Sequence, residues 1–452
     1  MSQPSSRFTR RTFLKTSATG VVAASFSVRL PGRCTAAEVS PNDKINTAHI
    51  GVGGMGGADL RSISAHPQVN VFALCDVDST RLGEAGEKHP NASRFTDFRQ
   101  MLEKLGDKID AVIVSTPDHT HAPAAMTALQ LGKPVYCQKP LTHEVYEARR
   151  LREVATEKGL VTQMGIQVHA SNQYRTATEI IQAGAIGPVS EVHAWSNKNW
   201  GYDGGPFTET DPVPETLNWN AWLGTAAERP FKAKVYHPGQ WRKLIDFGTG
   251  TLGDMGVHIF DTPYRALELT APNWSRTTCR PPTGLGHPEQ NMVEYEFPGT
   301  KHTARTLRWV WYDGMLAPPK ELQTGLPADF QLPGQGALFV GEKGTCLLPH
   351  VGMPQLFPEK DFADYKFPEL PPLNHYAQFV DACLGKTKTS AHFGYAGQLT
   401  EALLLGVVGN RFPGETLKWD AAGMRVTNLP EANKLLRRDY RHGFEVEGLS
   451  DT

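Results

Sequence analysis

The sequence predicts an α/β protein: a doubly wound parallel sheet at the amino-terminal end, then a larger region of short strands with one wet face. Three observations carry this reading. From Lys44 to about Pro140, apolar strand-like runs alternate with helical patterns, as right-handed crossovers between parallel strands require. Gly51, Gly53 and Gly56 form a Gly-x-Gly-x-x-Gly at the first strand-to-helix turn. After Gln167 the chain turns to segments rich in Trp, Gly and Pro, whose strand-like runs alternate apolar and polar residues.

In chain order, "INTAHIGVG" is a buried strand, "GADLRSISAH" a helix and "VNVFALCDV" a second strand. "FTDFRQMLEKLG" is helical, "IDAVIVSTP" a third strand, "HAPAAMTALQLG" a helix and "PVYCQKP" another strand. Further on, "VSEVHAWSN", "NMVEYEF", "TARTLRWVWY" and "ALFVGEKGTCLL" are strand candidates, and "GQLTEALLLGVV" is a helix rich in Ala and Leu. No internal repeat interrupts this order.

Ahead of the first strand, residues 1–37 carry a basic head with Arg10 and Arg11, a weakly apolar centre and the small-residue exit "CTAA". That order is a signal peptide, and the paired arginines resemble the twin-arginine type, with cleavage expected after Ala37. The apolar run is too short and too rich in Ser, Thr and Ala to span a bilayer. Cleavage takes six basic residues from 46 and leaves 40 against 47 acidic ones, a balance of −7. Such a chain offers no electrostatic reason to bind nucleic acid or an anionic membrane. Cys75, Cys137, Cys279, Cys346 and Cys383 remain, an odd and widely spaced set that forms neither a disulfide framework nor a metal cluster. The expected boundaries are 1–37 for the leader, 38–165 for the nucleotide-binding domain and 166–452 for the second domain.

The glycine motif is placed for chemistry. Its first glycine permits the tight turn, the second lets the backbone approach a pyrophosphate, and the third lets helix and strand pack closely. Gly54 and Met55 fall within the same turn, and the pyrophosphate would face the positive end of the helix. Asp76 ends the second strand, twenty residues beyond Gly56. A carboxylate there accepts hydrogen bonds from the adenosine ribose hydroxyls and repels a 2′-phosphate, which favours NAD over NADP.

Two further stretches, "STPDHTHAPAAMTALQLGKPVYCQKPLTH" and "GTGTLGDMGVHIFD", together with the glycine loop resemble the glucose-fructose oxidoreductase, inositol dehydrogenase and rhizopine-catabolism family, Gfo/Idh/MocA. The resemblance runs from about Lys44 to near Arg441. It implies an NAD-binding Rossmann domain and a second α+β domain with a large open antiparallel sheet, which often mediates oligomer contacts. It also implies a lysine near the reacting carbon and an Asp-x-x-x-His pair as acid and base, here Lys139, Asp254 and His258.

The i, i+4 spacing puts Asp254 and His258 on one helix face. A neutral imidazole suits removal of the hydroxyl proton while hydride passes to the nicotinamide. His258 is therefore the expected base, Asp254 either its orienting partner or the binder of a neighbouring hydroxyl, and Lys139 the cation that polarises the reacting oxygen. Gln138 stands where the family carries glutamate, and loss of a nearby carboxylate is expected to lower the lysine's pKa. Thr116, Pro117, His119 and His121 resemble the family's loop beside the nicotinamide ribose. His119 and His121 lack the companion carboxylate or thiol spacing of a metal site. Gln167, Trp241 and Arg242 are candidates for the pocket that receives cofactor and substrate, since Arg and Trp suit a polyhydroxylated ring.

An export leader on a dinucleotide-binding chain implies a captive cofactor, because free NAD is scarce outside the cytoplasm. The chain is then expected to fold around NAD, pass the twin-arginine machinery into the periplasm or beyond, and regenerate the nucleotide in place. The favoured reading is a sugar or polyol oxidoreductase with bound NAD. The alternative is a redox-neutral NAD-dependent glycoside hydrolase or lyase, in which transient oxidation acidifies a neighbouring C–H. A catalytically silent sugar-binding protein is the third.

Overall fold

The computed structural model describes residues 44–450; the expected twin-arginine leader and its expected cleavage site lie outside the described residues. Six parallel strands form the first sheet: β1 (Ile45–Ile50), β2 (Val69–Cys75), β3 (Ser93–Phe95), β4 (Ala111–Val114), β5 (Val135–Gln138) and β6 (Thr162–Gly165). Their order is β3-β2-β1-β4-β5-β6, so the chain reverses its winding between β1 and β4. A doubly wound sheet opens its ligand crevice there, at the carboxyl ends of the strands.

The helices in chain order are α1 (Gly54–Ser64), α2 (Ser79–Lys88), α3 (Phe98–Leu105), α4 (His121–Gln130) and α5 (Val145–Glu157). They continue as α6 (Asn172–Gln182), α7 (Trp219–Leu223), α8 (Val257–Ala266), α9 (His375–Cys383) and α10 (Phe393–Gly409). Side-chain caps fix several starts. Asp78 accepts from the Thr80 N–H and Asp97 from the Arg99 N–H, which satisfies donors that a first helical turn leaves free.

The second sheet comprises β7 (Val189–Ser196), β8 (Trp274–Cys279), β9 (Asn291–Pro298), β10 (Thr303–Asp313), β11 (Gln335–Gly341), β12 (Thr345–Pro349), β13 (Gln355–Phe357), β14 (Thr416–Asp420) and β15 (Arg425–Val426). The order is β13-β12-β11-β7-β10-β9-β8-β14-β15, antiparallel throughout except where β10 runs parallel to β7. Burial alternates along β9, the mark of a strand with one packed face. On that face Phe260 of α8 stacks on Trp309 at 4.0 Å between ring centroids.

The predicted Ala/Leu helix is α10. It is buried over most of its length and joins the halves, with the Arg149 guanidinium of α5 donating to both Glu401 carboxylate oxygens at 2.8 and 2.6 Å. The segment beyond Gln167 is not confined to the second sheet. Helix α9 returns to the first one and buries Phe379 and Val380 against Ile45, Ile63, Ile113 and Tyr136. No helix among the described residues is long and apolar enough to cross a membrane.

Candidate functional site

The crevice at the end of the first sheet contains a cavity of about 370 Å³ that runs from the glycine loop to Trp241 and Arg242. Gly51 holds φ at +82°, and a Cβ there would lie 2.5 Å from the Ser115 carbonyl oxygen. A Cβ on Gly56 would lie 2.1 Å from the Gly51 oxygen. Both neighbours are backbone and cannot step aside, so only glycine lets β1, α1 and the loop after β4 meet this closely. Gly53 precedes α1 without a side-chain cap, which leaves its first N–H groups to a ligand. Gly54 and Met55 line the same cavity.

Asp76 lies on the cavity wall just past β2 and is nearly buried. Its carboxylate accepts from the Val52 N–H at 2.9 Å and the Asp78 N–H at 3.0 Å, which fixes its direction. Burial raises its pKa, against these two donors and the nearby Arg81. Thr116 and Pro117 also line the cavity, and the buried Thr116 Oγ1 has no hydrogen-bond partner. A cradle that any side chain would fill and an unsatisfied hydroxyl in one cavity fit a dinucleotide.

Lys139 follows β5, and Asp254 sits in a π-helical turn, Leu252–Gly256, that leads into α8. The Lys139 ammonium donates to the Asp254 carboxylate at 2.9 Å and to its carbonyl at 2.8 Å. Arg242 Nε donates to the same carboxylate oxygen at 3.0 Å, while its guanidinium stacks on Trp241 at 4.3 Å. Burial alone would raise the Asp254 pKa; Lys139 and Arg242 outweigh it and hold the carboxyl far below its ordinary value. The widened turn departs from the regular i, i+4 register expected between Asp254 and His258 and opens the helical ladder where Lys139 enters. Burial and then the Lys139 ammonium keep His258 well below the usual histidine range, so it is neutral at pH 7, and its Nδ1 has no partner.

Four of the expected ligand residues have side chains engaged by protein groups. His119 is buried in an aromatic cluster against Trp222 and Phe247, with Nε2 3.0 Å from the Trp222 carbonyl. His121 is buried, with its ring nitrogens 2.8 Å from the Thr116 carbonyl and 2.9 Å from that of Pro140. Burial lowers its pKa to about 4, so the neutral ring ties the cavity wall to the Lys139 loop. Gln138 Nε2 donates to both Asp59 carboxylate oxygens at 2.8 and 3.1 Å, and its Oε1 accepts the Lys139 N–H. Asp59 also accepts from Ser115 Oγ and Tyr376 OH, and Gln167 Nε2 donates to that same tyrosine oxygen at 3.0 Å.

Gln138 and Gln167 thus belong to a network joining α1 to α9. The expectation that Gln138 leaves Lys139 without a carboxylate partner is corrected by Asp254, which supplies one from the second half of the chain.

Sequence reasoning missed several groups around the site. Arg81 reaches across from α2 and lies where a Cβ on Gly53 would meet it. Asp118 is buried, accepts from Thr249 Oγ1 at 2.7 Å, and burial pushes its pKa up to about 7. His350 lies 5.8 Å from His258, ring to ring, and its Nδ1 is 2.5 Å from Tyr174 OH. The residue types alone give no signal for these: Arg81 and His350 come from distant elements, and Thr249, the partner of the buried Asp118, lies far along the chain.

Two models of the Gfo/Idh/MocA family match the chain: "oxidoreductase family, NAD-binding Rossmann fold" over residues 45–166 and "oxidoreductase family, C-terminal alpha/beta domain" over 174–268. Among curated relatives, an inositol 2-dehydrogenase of Rubrobacter xylanophilus is 30% identical over 156 residues, 34% of this chain and 44% of the relative. A levoglucosan dehydrogenase of Pseudarthrobacter phenanthrenivorans is 24% identical over 246 residues, 52% of this chain and 55% of that protein. The chain thus spans about half the length of these relatives. Similar solved structures include an inositol dehydrogenase homologue from Azotobacter vinelandii, complexed with NADH and myo-inositol (TM-score 0.55, 17% identity, 84% of this chain and 98% of that one). Another is the WlbA dehydrogenase of Bordetella pertussis, in complex with NADH and UDP-GlcNAcA (TM-score 0.59, 17% identity, 83% and 99%). The family matches and the cavity agree on an NAD-binding Rossmann sheet like that of the Gfo/Idh/MocA oxidoreductases, followed by a C-terminal α/β domain.

Proposed function

We propose that this chain is an NAD-dependent oxidoreductase acting on a CH–OH group of a sugar or polyol and keeping its nucleotide bound through the catalytic cycle. The observation that carries this reading is that Arg242, which lines the cavity beginning at the glycine cradle, shares the Asp254 carboxylate with Lys139, while His258 stands four residues on at the start of α8. Bound NAD supplies the hydride acceptor. The glycine loop and the start of α1 hold its pyrophosphate, Asp76 the ribose hydroxyls and Thr116 Oγ1 the nicotinamide side.

Asp254 holds Lys139 in place with two hydrogen bonds, and the one ammonium hydrogen left free donates to the reacting oxygen and stabilises negative charge as the hydroxyl proton departs. His258 is neutral, and its free Nδ1 takes that proton; the Asp254 carboxylate favours the resulting imidazolium. Arg242, on the face of Trp241, orients a neighbouring hydroxyl. The relatives are dehydrogenases of inositol and of levoglucosan, which supports a cyclic, hydroxyl-rich substrate.

The basic leader with Arg10 and Arg11 supports export after folding, and therefore a captive nucleotide. A captive nucleotide favours a cycle in which the hydride is returned, either to a second sugar or to the same one after elimination of a glycosidic bond. A screen of sugars, polyols and glycosides with the purified protein tests the reading. Turnover without added NAD, lost on Lys139→Ala and on His258→Ala, is expected. Full turnover by both variants would overturn it.

A further inference from the structure

The cavity is walled at one end by a residue from near the carboxyl terminus. Phe444 lines it together with Asp76 and Arg99, and this is the adenosine end, since the carboxylate that closes β2 faces the ribose. Two guanidiniums pack on the Phe444 ring, that of Arg99 4.2 Å and that of Arg441 4.4 Å from its centroid. Arg99 belongs to α3 of the first sheet. Its Nε and Nη2 are held by Asp97 at 3.0 and 2.6 Å, and its Nη1 donates to the Gly443 carbonyl. Arg441 is fastened to the other rim: its N–H donates to the Thr225 carbonyl, its Nε to the Gly224 carbonyl and its Nη2 to the Asn220 carbonyl, at 2.7–3.1 Å.

The turn between them is stiff. Gly443 adopts φ +82°, the Glu445 carboxylate accepts its N–H at 2.6 Å, and the Phe444 N–H donates to the Arg441 carbonyl at 2.9 Å. Both flanks are anchored as well. Tyr440 OH donates to Glu147 Oε1 at 2.6 Å on α5, and Gln130 of α4 donates to the Glu447 carbonyl at 2.6 Å.

We infer that Arg441–Phe444 is a cofactor-binding strap: Phe444 forms the adenosine wall of the dinucleotide site, and the strap bridges the two rims so that NAD leaves only when it lifts. Cation–π contacts from two guanidiniums and four backbone-directed hydrogen bonds make lifting slow, which gives the captive nucleotide a physical basis. The inference rests on the dinucleotide reading above.

The test compares wild type with Phe444→Ala, Phe444→Leu and Arg441→Ala. Each is loaded with NADH, diluted into excess NAD, and followed by loss of bound-NADH fluorescence. Release about tenfold faster is expected for Phe444→Ala and Arg441→Ala, the ratio that about 1.4 kcal/mol represents. Phe444→Leu, which keeps apolar bulk without a π face, is expected in between and preserves the test if the alanine variants unfold. A wild-type chain that binds no NADH overturns the dinucleotide reading and the strap with it. A wild-type chain that holds NADH, with all variants releasing it at the same rate, overturns the strap alone.

Discussion

Replacing Gln138 by glutamate converts a buried hydrogen bond into a contact between two carboxylates. Gln138 Nε2 lies 2.8 and 3.1 Å from the Asp59 oxygens. Burial already raises the Asp59 pKa, against hydrogen bonds from Ser115, Gln138 and Tyr376. Two charges about 3 Å apart repel by about 5 kcal/mol at an effective dielectric constant near 20, so the pair takes up a shared proton instead of ionising fully.

The folded-state pKa of the pair then lies above its unfolded value. Its contribution to stability is fully present below the unfolded carboxylate range and is lost as pH rises through the folded pKa. The introduced carboxyl, when protonated, still donates to Asp59, so Gln138→Glu is expected near wild-type stability at pH 5. By pH 8 it is expected to lose about 2–4 kcal/mol, the proton-linked cost together with about 1–3 kcal/mol for an unmade buried hydrogen bond. Thermal unfolding of both proteins between pH 5 and pH 8 measures this. An equal deficit at every pH, or none at pH 8, would refute the placement of Gln138 against Asp59.

Other predictions follow from the same geometry. His258→Ala removes the proton acceptor and is expected to lower kcat by about 10²–10⁴, with the affinity for NADH by fluorescence titration unchanged; weakened binding would place His258 in the nucleotide grip instead. Gly56→Ala puts a methyl group 2.1 Å from the Gly51 oxygen and is expected to abolish NAD binding in calorimetry, while binding at wild-type affinity would contradict the cradle. Burial raises the Asp118 pKa from its ordinary value to about 7. Its contribution to stability is therefore present below about pH 4 and lost as pH rises through about 7. Asp118→Asn is expected to flatten the stability profile across this window, and an unchanged slope would reject the assignment.

Much of the first sheet was legible because β1, β2, β4 and β5 are apolar runs bounded by turns. β3 and β6 were not: "SRF" is short and partly exposed, and "TQMG" owes its burial to neighbours instead of composition. β7, β9 and β10 showed in their alternation, and α10 in its unbroken Ala/Leu content. The return of α9 to the first sheet follows from tertiary packing of Phe379 and Val380, which no local period encodes.

Within the site, Gly51, Gly56 and Asp76 were readable because each answers a backbone or charge requirement at a fixed chain offset. Lys139, Asp254 and His258 came from the family resemblance, and the structure brings the first two into contact. The carbonyl partners of His119 and His121 were not legible, because a loop histidine has the same letter whether it faces a ligand or a carbonyl. Arg99, Arg441 and Phe444 were invisible, since their meeting depends on a contact spanning most of the chain.

The most direct measurement is to denature the purified protein, without adding nucleotide at any stage, and identify what it releases by mass spectrometry. About one NAD or NADH per chain is the predicted result. A chain that releases no nucleotide, and turns over only when NAD is supplied, would contradict the account.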